Sequence, residues 1–134
     1  MEAAARDRLR ALPLFAQLTD DALAHLADAS TEFEVPAGRV LVEIGQPGAG
    51  LFVLQEGHAV VDLPHGGEVE LGPGEFFGEM SLLTDDPHSA RVRAKTELRG
   101  LAIARRDFTT LLATHPQVAV AMLPVLARRL RDVI

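Results

Sequence analysis

Residues 77–94 read FGEMSLLTDDPHSARVRA, and they hold the parts of an anion-binding apparatus in consecutive order. Gly78 lets the backbone approach a ligand with no Cβ in the way, and a helix starting at Glu79 leaves its first N–H groups unpaired in front of it. Such an end favours an anion. A carboxylate at Glu79 can accept hydrogen bonds from a sugar hydroxyl beside a phosphate, which selects ribose over deoxyribose. Its alternative role is a plain N-terminal helix charge. Met80, Leu82 and Leu83 are expected to turn their apolar sides into the core. Pro87 stiffens the loop exit, the Ser89 hydroxyl can donate to a phosphate oxygen, and the Ala90 N–H beside it is almost unobstructed. In the strand that follows, Ala90, Val92 and Ala94 share one face and Arg91 and Arg93 the other. If the small residues point inward, the arginines point to solvent.

Outward from this stretch, residues 31–104 consist of short alternating or apolar runs: TEFEV, RVLVEI, LFVLQ, HAVVDL, EVELG and two strands after the quoted segment. Glycines at 38, 45, 48, 50, 57, 66, 67, 72, 74 and 78 separate them. Gly66-Gly67 is a hairpin-turn candidate. Gly45, Gly48, Gly72 and Gly74 fit turns without ligand contact. Many short strands punctuated in this way predict a sandwich or barrel, and a closed jelly roll leaves the fewest open edges. The expected fold is therefore mainly β, a jelly-roll β-barrel (double-stranded β-helix) with short helices at the N-terminus and a helical C-terminal segment.

Both flanks carry helical patterns. Residues 2–11 are rich in Ala, Arg and Leu, Pro13 breaks the run, and Thr19 caps a second helix with Asp20 and Asp21 in its first turn. Leu23, Leu26 and Ala27 give that helix one apolar side. After Ala104, one segment covers Asp107 to Thr114 and another starts at His115-Pro116, with Pro116 at a first helical position. Val118, Met122, Val125, Leu126, Leu130 and Val133 form a stripe at helical spacing, and Pro124 inside it is expected to kink or interrupt the helix. The stripe fits packing on its own barrel and pairing with a second copy equally well. One domain over 1–134 is expected, helical in 1–30, a β-roll in 31–104, with C-terminal helices in 105–134.

The segment 77–94 resembles the phosphate-binding cassette of the cyclic nucleotide-binding domain family, of the Crp/Fnr effector-domain type, which includes the catabolite gene activator, regulatory subunits of cyclic-AMP-dependent kinase and cyclic-nucleotide-gated channels. The family pattern runs F-G-E-x-x-L-L, a few residues, then R-[ST]-A and an alternating strand. Phe77, Gly78, Glu79, Leu82, Leu83, Ser89, Ala90, Val92 and Ala94 match it. PLFAQL near the start, GRVLVEIGQPGAGLFVLQEGHAVV and the closing helical region recur in the family at similar spacings. The resemblance implies a regulatory module that binds a cyclic nucleotide, cyclic AMP or cyclic GMP, through Gly78, Glu79, Met80, Ser81, His88, Ser89 and Ala90. It also implies a C-terminal helix that moves on binding, a homodimer through that helix, and no catalysis.

One matching position departs: His88 stands where the family has the arginine that pairs with the cyclic phosphate. Arginine is always charged and forks onto two oxygens, whereas imidazole has a reference pKa near 6.5 and offers one N–H to the anion at a time. Losing a charge-assisted bidentate contact removes about 1.5 to 3 kcal/mol, a factor of about 10 to 150 in affinity. Three outcomes stay open at this point: His88 protonates when phosphate arrives, Arg91 or Arg93 reaches in, or the pocket has lost cyclic nucleotides and takes another ligand or none, the fold then serving as an interaction or dimerisation module.

Composition bounds the rest. The 134 residues suit one domain with a core, and 48% apolar with 24% charged is ordinary for a globular protein. A formal charge of −6 gives no pull toward nucleic acid, and the basic ARRLR at 127–131 fits the favourable last turn of a helix. With no cysteine, a disulfide scaffold, a thiolate zinc site and a Cys-ligated iron–sulfur cluster are excluded. No apolar leader or 18-residue apolar run is present, so a cytoplasmic location without membrane partner is expected. His25, His58, His65, His88 and His115 form no H-x-H or i,i+4 pair, which argues against a cupin-type metal enzyme. Ser89, His88 and Asp85 or Asp86 make no triad, because neighbours on a strand point apart and no nucleophile-elbow sequence surrounds the serine. No helix-turn-helix follows before Ile134, so a stand-alone sensor and a regulatory piece of a larger protein are both compatible with the sequence.

Overall fold

The structure, a computed structural model, describes residues 3–133, with side chains from 6 to 132. Glu2 and the side chain of Val133, which the helical patterns above include, lie outside the described residues. The chain divides into two compact units, Met1–Ala29 with Arg106–Ile134, and Ser30–Arg105.

The second unit is all β apart from one short helix. Its strands are β1 (Ser30–Val35), β2 (Val40–Val42), β3 (Gly50–Glu56), β4 (Ala59–Asp62), β5 (Glu68–Leu71), β6 (Phe76–Phe77), β7 (Arg91–Ala94) and β8 (Leu98–Ala104), with helix α1 of this unit's own segment, Glu79–Thr84, hereafter the cassette helix, between β6 and β7. They form two four-stranded antiparallel sheets, in the orders β1-β8-β3-β6 and β2-β7-β4-β5. Neighbours in each sheet are mostly far apart in sequence, the mark of a jelly roll and the expected fold. Strand β6 escaped the pattern analysis because two residues are too few to show a period.

The two sheets share one core. Val42, Ala59, Leu71, Val92 and Ala94 from one meet Leu54, Phe77 and Leu98 from the other. Phe52 stacks on Phe77 at 5.0 Å between ring centroids, and Phe33 meets Phe52 edge-on at 5.7 Å. Burial alternates along β7, with Val92 and Ala94 inside. The β4–β5 connection turns through Gly66 and Gly67, both at φ near +90°, with Gly66 N–H donating to the Leu63 carbonyl at 3.2 Å and Leu63 N–H to the Gly67 carbonyl at 3.1 Å. Gly100 on β8 has a steric duty that the spacing of glycines did not reveal. A Cβ there would stand 2.3 Å from the Val53 carbonyl oxygen and 2.9 Å from the Phe33 ring.

In the other unit, an N-terminal helix (Ala3–Arg10) leads to a 3-10 turn (Pro13–Phe15) and a second helix (Asp20–Ala29). Thr19 caps the second helix as expected: its hydroxyl accepts the Ala22 N–H at 3.2 Å, and Leu23 and Leu26 are fully buried. Two further helices, Arg105–Thr114 and Gln117–Val133, meet at 109°. Helix Gln117–Val133 runs through Pro124 without interruption, contrary to a break there. The helical bond that Pro124 cannot donate would go to the carbonyl of Val120, an exposed residue. Its apolar stripe is only half used: Val118 and Met122 are buried, Val125 and Leu126 are partly so, and Leu130 is exposed along with Val120 and Leu123. No single helix among the described residues is long and apolar enough to cross a membrane.

Two substitutions test these assignments. Gly100→Ala should lower unfolding free energy by about 1–3 kcal/mol through overpacking, read by urea denaturation, and a neutral result would mean the β3–β8 approach is looser than described. Thr19→Ala should cost about 1 kcal/mol through the lost cap.

Candidate functional site

Stacking of Phe77 on Phe52 ends β6 at a fixed place, and the chain turns there through Gly78 at φ 91°, ψ −4°. This left-handed conformation favours glycine, and space demands it too: a Cβ would lie 2.8 Å from the Gly50 carbonyl oxygen. The close approach at Gly78 is thus made to the neighbouring strand. The cassette helix, Glu79–Thr84, starts where the sequence placed it.

Its orientation reverses one expectation. Glu79 is 4% and Ser81 1% exposed, whereas Met80 is 58% and Leu83 47% exposed; Leu82 is half-buried. Met80 and Leu83 therefore do not point into the core. A six-residue helix has too little apolar surface to choose its own face, so the turn at Gly78 and the hydrogen bonds at its other end decide. There the Ser81 hydroxyl donates to the Asp86 carbonyl, the Thr84 hydroxyl donates to the Met80 carbonyl at 2.8 Å, and the Asp86 N–H donates to the Thr84 hydroxyl at 3.2 Å. Asp85 closes the helix in the left-handed region at φ 62°, its N–H donating to the Ser81 carbonyl at 3.1 Å.

The cassette's exit is held by the loop 45–50. His88 N–H donates to the Gln46 carbonyl at 2.9 Å, and Gly45 N–H donates to the His88 carbonyl at 2.9 Å. His88 and Ala90 are half-buried, and Ser89 is exposed. Burial pushes the His88 imidazole below its usual range; the Glu79 carboxylate opposes this and the Arg105 guanidinium adds to it. Glu79, His88 and Arg105 accordingly stand within electrostatic reach of one another. Arg91 and Arg93 lie on the opposite face of β7 and are engaged there, Arg91 with Glu43 at 3.0 Å and Arg93 with Asp62 at 3.0 Å and Glu68 at 2.9 Å. In this arrangement neither serves the cassette.

The cation that does reach the cassette is Arg105, seventeen positions beyond His88 and absent from the sequence analysis. Its Nη2 donates to the Ser81 carbonyl at 3.1 Å, its Nη1 to the Asp85 carboxylate at 2.7 Å, and its Nε to the Gly48 carbonyl at 3.0 Å. Gly48, expected to be a plain turn, is where this packing is tightest: a Cβ would come 2.6 Å from Ser81 Cβ and 3.1 Å from Arg105 Nη2. No local pattern could have disclosed Arg105, which sits at a strand-to-helix junction and meets the cassette only through the sheet. No group of three or more metal-ligating side chains occurs among the described residues.

Known proteins resemble this chain in sequence and in fold. A cyclic nucleotide-gated potassium channel of Mesorhizobium japonicum is 41% identical over 109 residues, 81% of this chain and 30% of the channel. A cAMP-dependent protein kinase regulatory subunit of Emericella nidulans is 36% identical over 107 residues, 78% of this chain and 26% of the subunit. The crystal structure of Thermus thermophilus catabolite activator protein has a TM-score of 0.78 at 33% identity, covering 90% of this chain and 59% of that one. The chain thus spans less than a third of these two curated relatives. Residues 32–115 match the model of the cyclic nucleotide-binding domain, so that with its jelly roll, its cassette and these relatives the chain belongs to the cyclic nucleotide-binding domain family.

Proposed function

We propose that this chain is a regulatory domain whose ligand is a cyclic mononucleotide, cyclic AMP above cyclic GMP, and which works by conformational change without catalysis. The observation that carries the proposal is the inverted polarity of the cassette helix, with Glu79 inside and Met80 outside. A helix packed only for stability buries its apolar side, and the carboxylate turned inward here can accept a hydrogen bond from a ribose hydroxyl. Similarity to a kinase regulatory subunit named for cAMP supports the choice of purine.

In this proposal Gly78, Glu79, Met80, Ser81, His88, Ser89 and Ala90 form the ligand site, with Glu79 on the ribose and Ser89 and the Ala90 N–H on the phosphate. His88 is neutral in the empty site at pH 7, since burial lowers its pKa, and a bound phosphate favours the protonated form. Binding then takes up a proton, so affinity rises as pH falls through the imidazole range. Ligand that prefers one arrangement of the segment 105–116 shifts the terminal helix, Gln117–Val133. Its exposed Val120, Leu123 and Leu130 suit pairing with a second copy. The function proposed involves neither nucleic acid nor membrane contact by this chain, and places it in the cytoplasm.

A second proposal is favoured by His88 itself: the pocket has lost its ligand and the fold serves as an interaction or dimerisation module. Calorimetric titration with cyclic AMP and cyclic GMP at pH 6 and pH 8 separates the two. Saturable binding, several-fold tighter at pH 6, is expected, and equal affinity at both values would remove protonated His88 from the mechanism. His88→Arg should tighten binding by about 10- to 150-fold and abolish the pH dependence. Silence of the natural chain at millimolar nucleotide, with binding gained by His88→Arg, would establish the second proposal; silence of both would end the first.

A further inference from the structure

Arg105 belongs to neither the cassette segment 77–94 nor the buried core. It is the last residue of the roll and the first of the helix Arg105–Thr114. Its main chain and side chain grip the same loop, the N–H donating to the Ala49 carbonyl at 2.9 Å and Nε to the Gly48 carbonyl at 3.0 Å. The other two nitrogens of the fork hold the cassette helix at the Ser81 carbonyl and its C-terminal cap at the Asp85 carboxylate. One guanidinium therefore ties three segments that are remote in sequence: 45–50, 79–86 and the start of the helix after β8.

The partners differ in weight. The Asp85 side chain is 86% exposed, so that ion pair contributes little to stability. It holds Asp85, however, and among the described residues Asp85 is the one non-glycine with a positive φ, a conformation that persists only when its surroundings enforce it. The two carbonyl bonds are partly buried; the one to Ser81 is a second bond to an oxygen that already accepts the Asp85 N–H. Gly48 supplies the space: with any side chain there, Ser81 and the Arg105 fork could not both stay in place. A lysine could make one of these bonds at a time, since it lacks the planar fork.

We propose that Arg105 is a positioning residue, a brace that sets the shape of the cassette and transmits it along the chain to the first turn of the helix that follows β8. The brace stands on geometry alone; its effect on ligand affinity rests on the proposed cyclic nucleotide function. Arg105 is not offered as a phosphate ligand, since all three of its guanidinium nitrogens already have partners in the protein.

Hydrogen exchange read by mass spectrometry on the full chain without ligand tests the brace. In Arg105→Gln, amide exchange in peptides covering 45–50, 79–88 and 106–112 should rise about tenfold or more, as expected when charge-assisted bonds that limit local opening are lost. Peptides covering 59–71 should not change, which a general loss of stability would not produce. Arg105→Lys should restore protection in part, and Asp85→Asn should loosen only 84–88. Unchanged exchange in Arg105→Gln, or an increase spread evenly over 59–71, would overturn the proposal; if that variant does not fold, Arg105→Lys decides by the same peptides. Titration of the same samples with cyclic AMP should show affinity reduced about tenfold in Arg105→Gln, and unchanged affinity would sever the brace from binding. A natural chain that binds no cyclic nucleotide while the exchange pattern holds would overturn the functional proposal and support the brace.

Discussion

The contact between Gly78 and the Gly50 carbonyl fixes everything that follows it. With Phe77 stacked on Phe52 one residue earlier, the chain leaves the sheet in one direction only, and the left-handed turn then decides which side of the next six residues faces inward. The cassette helix is too short to overrule that turn. Glu79 and Ser81 go in and Met80 and Leu83 go out, against the hydrophobic preference of each. Burial of polar groups at the expense of apolar ones is costly unless polar partners meet them.

The loop 45–50 joins the roll to the cassette. It pairs with His88 at one end, packs under Ser81 in the middle and enters β3 at the other. Its glycines are spacing elements: Gly48 gives way to Ser81 and Arg105, as Gly100 gives way to Val53 and Phe33 in the sheet. The two arginines of β7, by contrast, belong to a ladder of charges across the outer face of β2-β7-β4-β5, with Lys95 and Glu70 continuing it at 3.3 Å. Each such pair is weak in solvent. Together they keep those cations on the face away from the core.

Electrostatically, His88 gives the cassette a titratable group whose protonation its surroundings bias. Its neighbours pull in opposite senses, Glu79 toward the charged form and Arg105 away from it, while burial favours the neutral one. Under the proposed function a ligand's charge would join this balance, whereas at an arginine it would change nothing about protonation.

The sequence by itself determined the architecture and the local elements of the cassette. Strand patterns separated by glycines, the Thr19 cap, the Gly66-Gly67 turn and the F-G-E opening of the cassette are all written within a few residues of where they act, and local rules read them. The alternation of Ala90, Val92 and Ala94 with Arg91 and Arg93 also placed the arginines correctly, because a strand's period of two leaves no other choice. Only the tertiary structure decided which face of the cassette helix looks inward, that Gly48 and Gly100 are there for want of room, and that Arg105 reaches the cassette. Each of these is settled by a main-chain carbonyl or a side chain contributed from a distant strand or loop, and no periodicity or spacing along the chain records such a meeting.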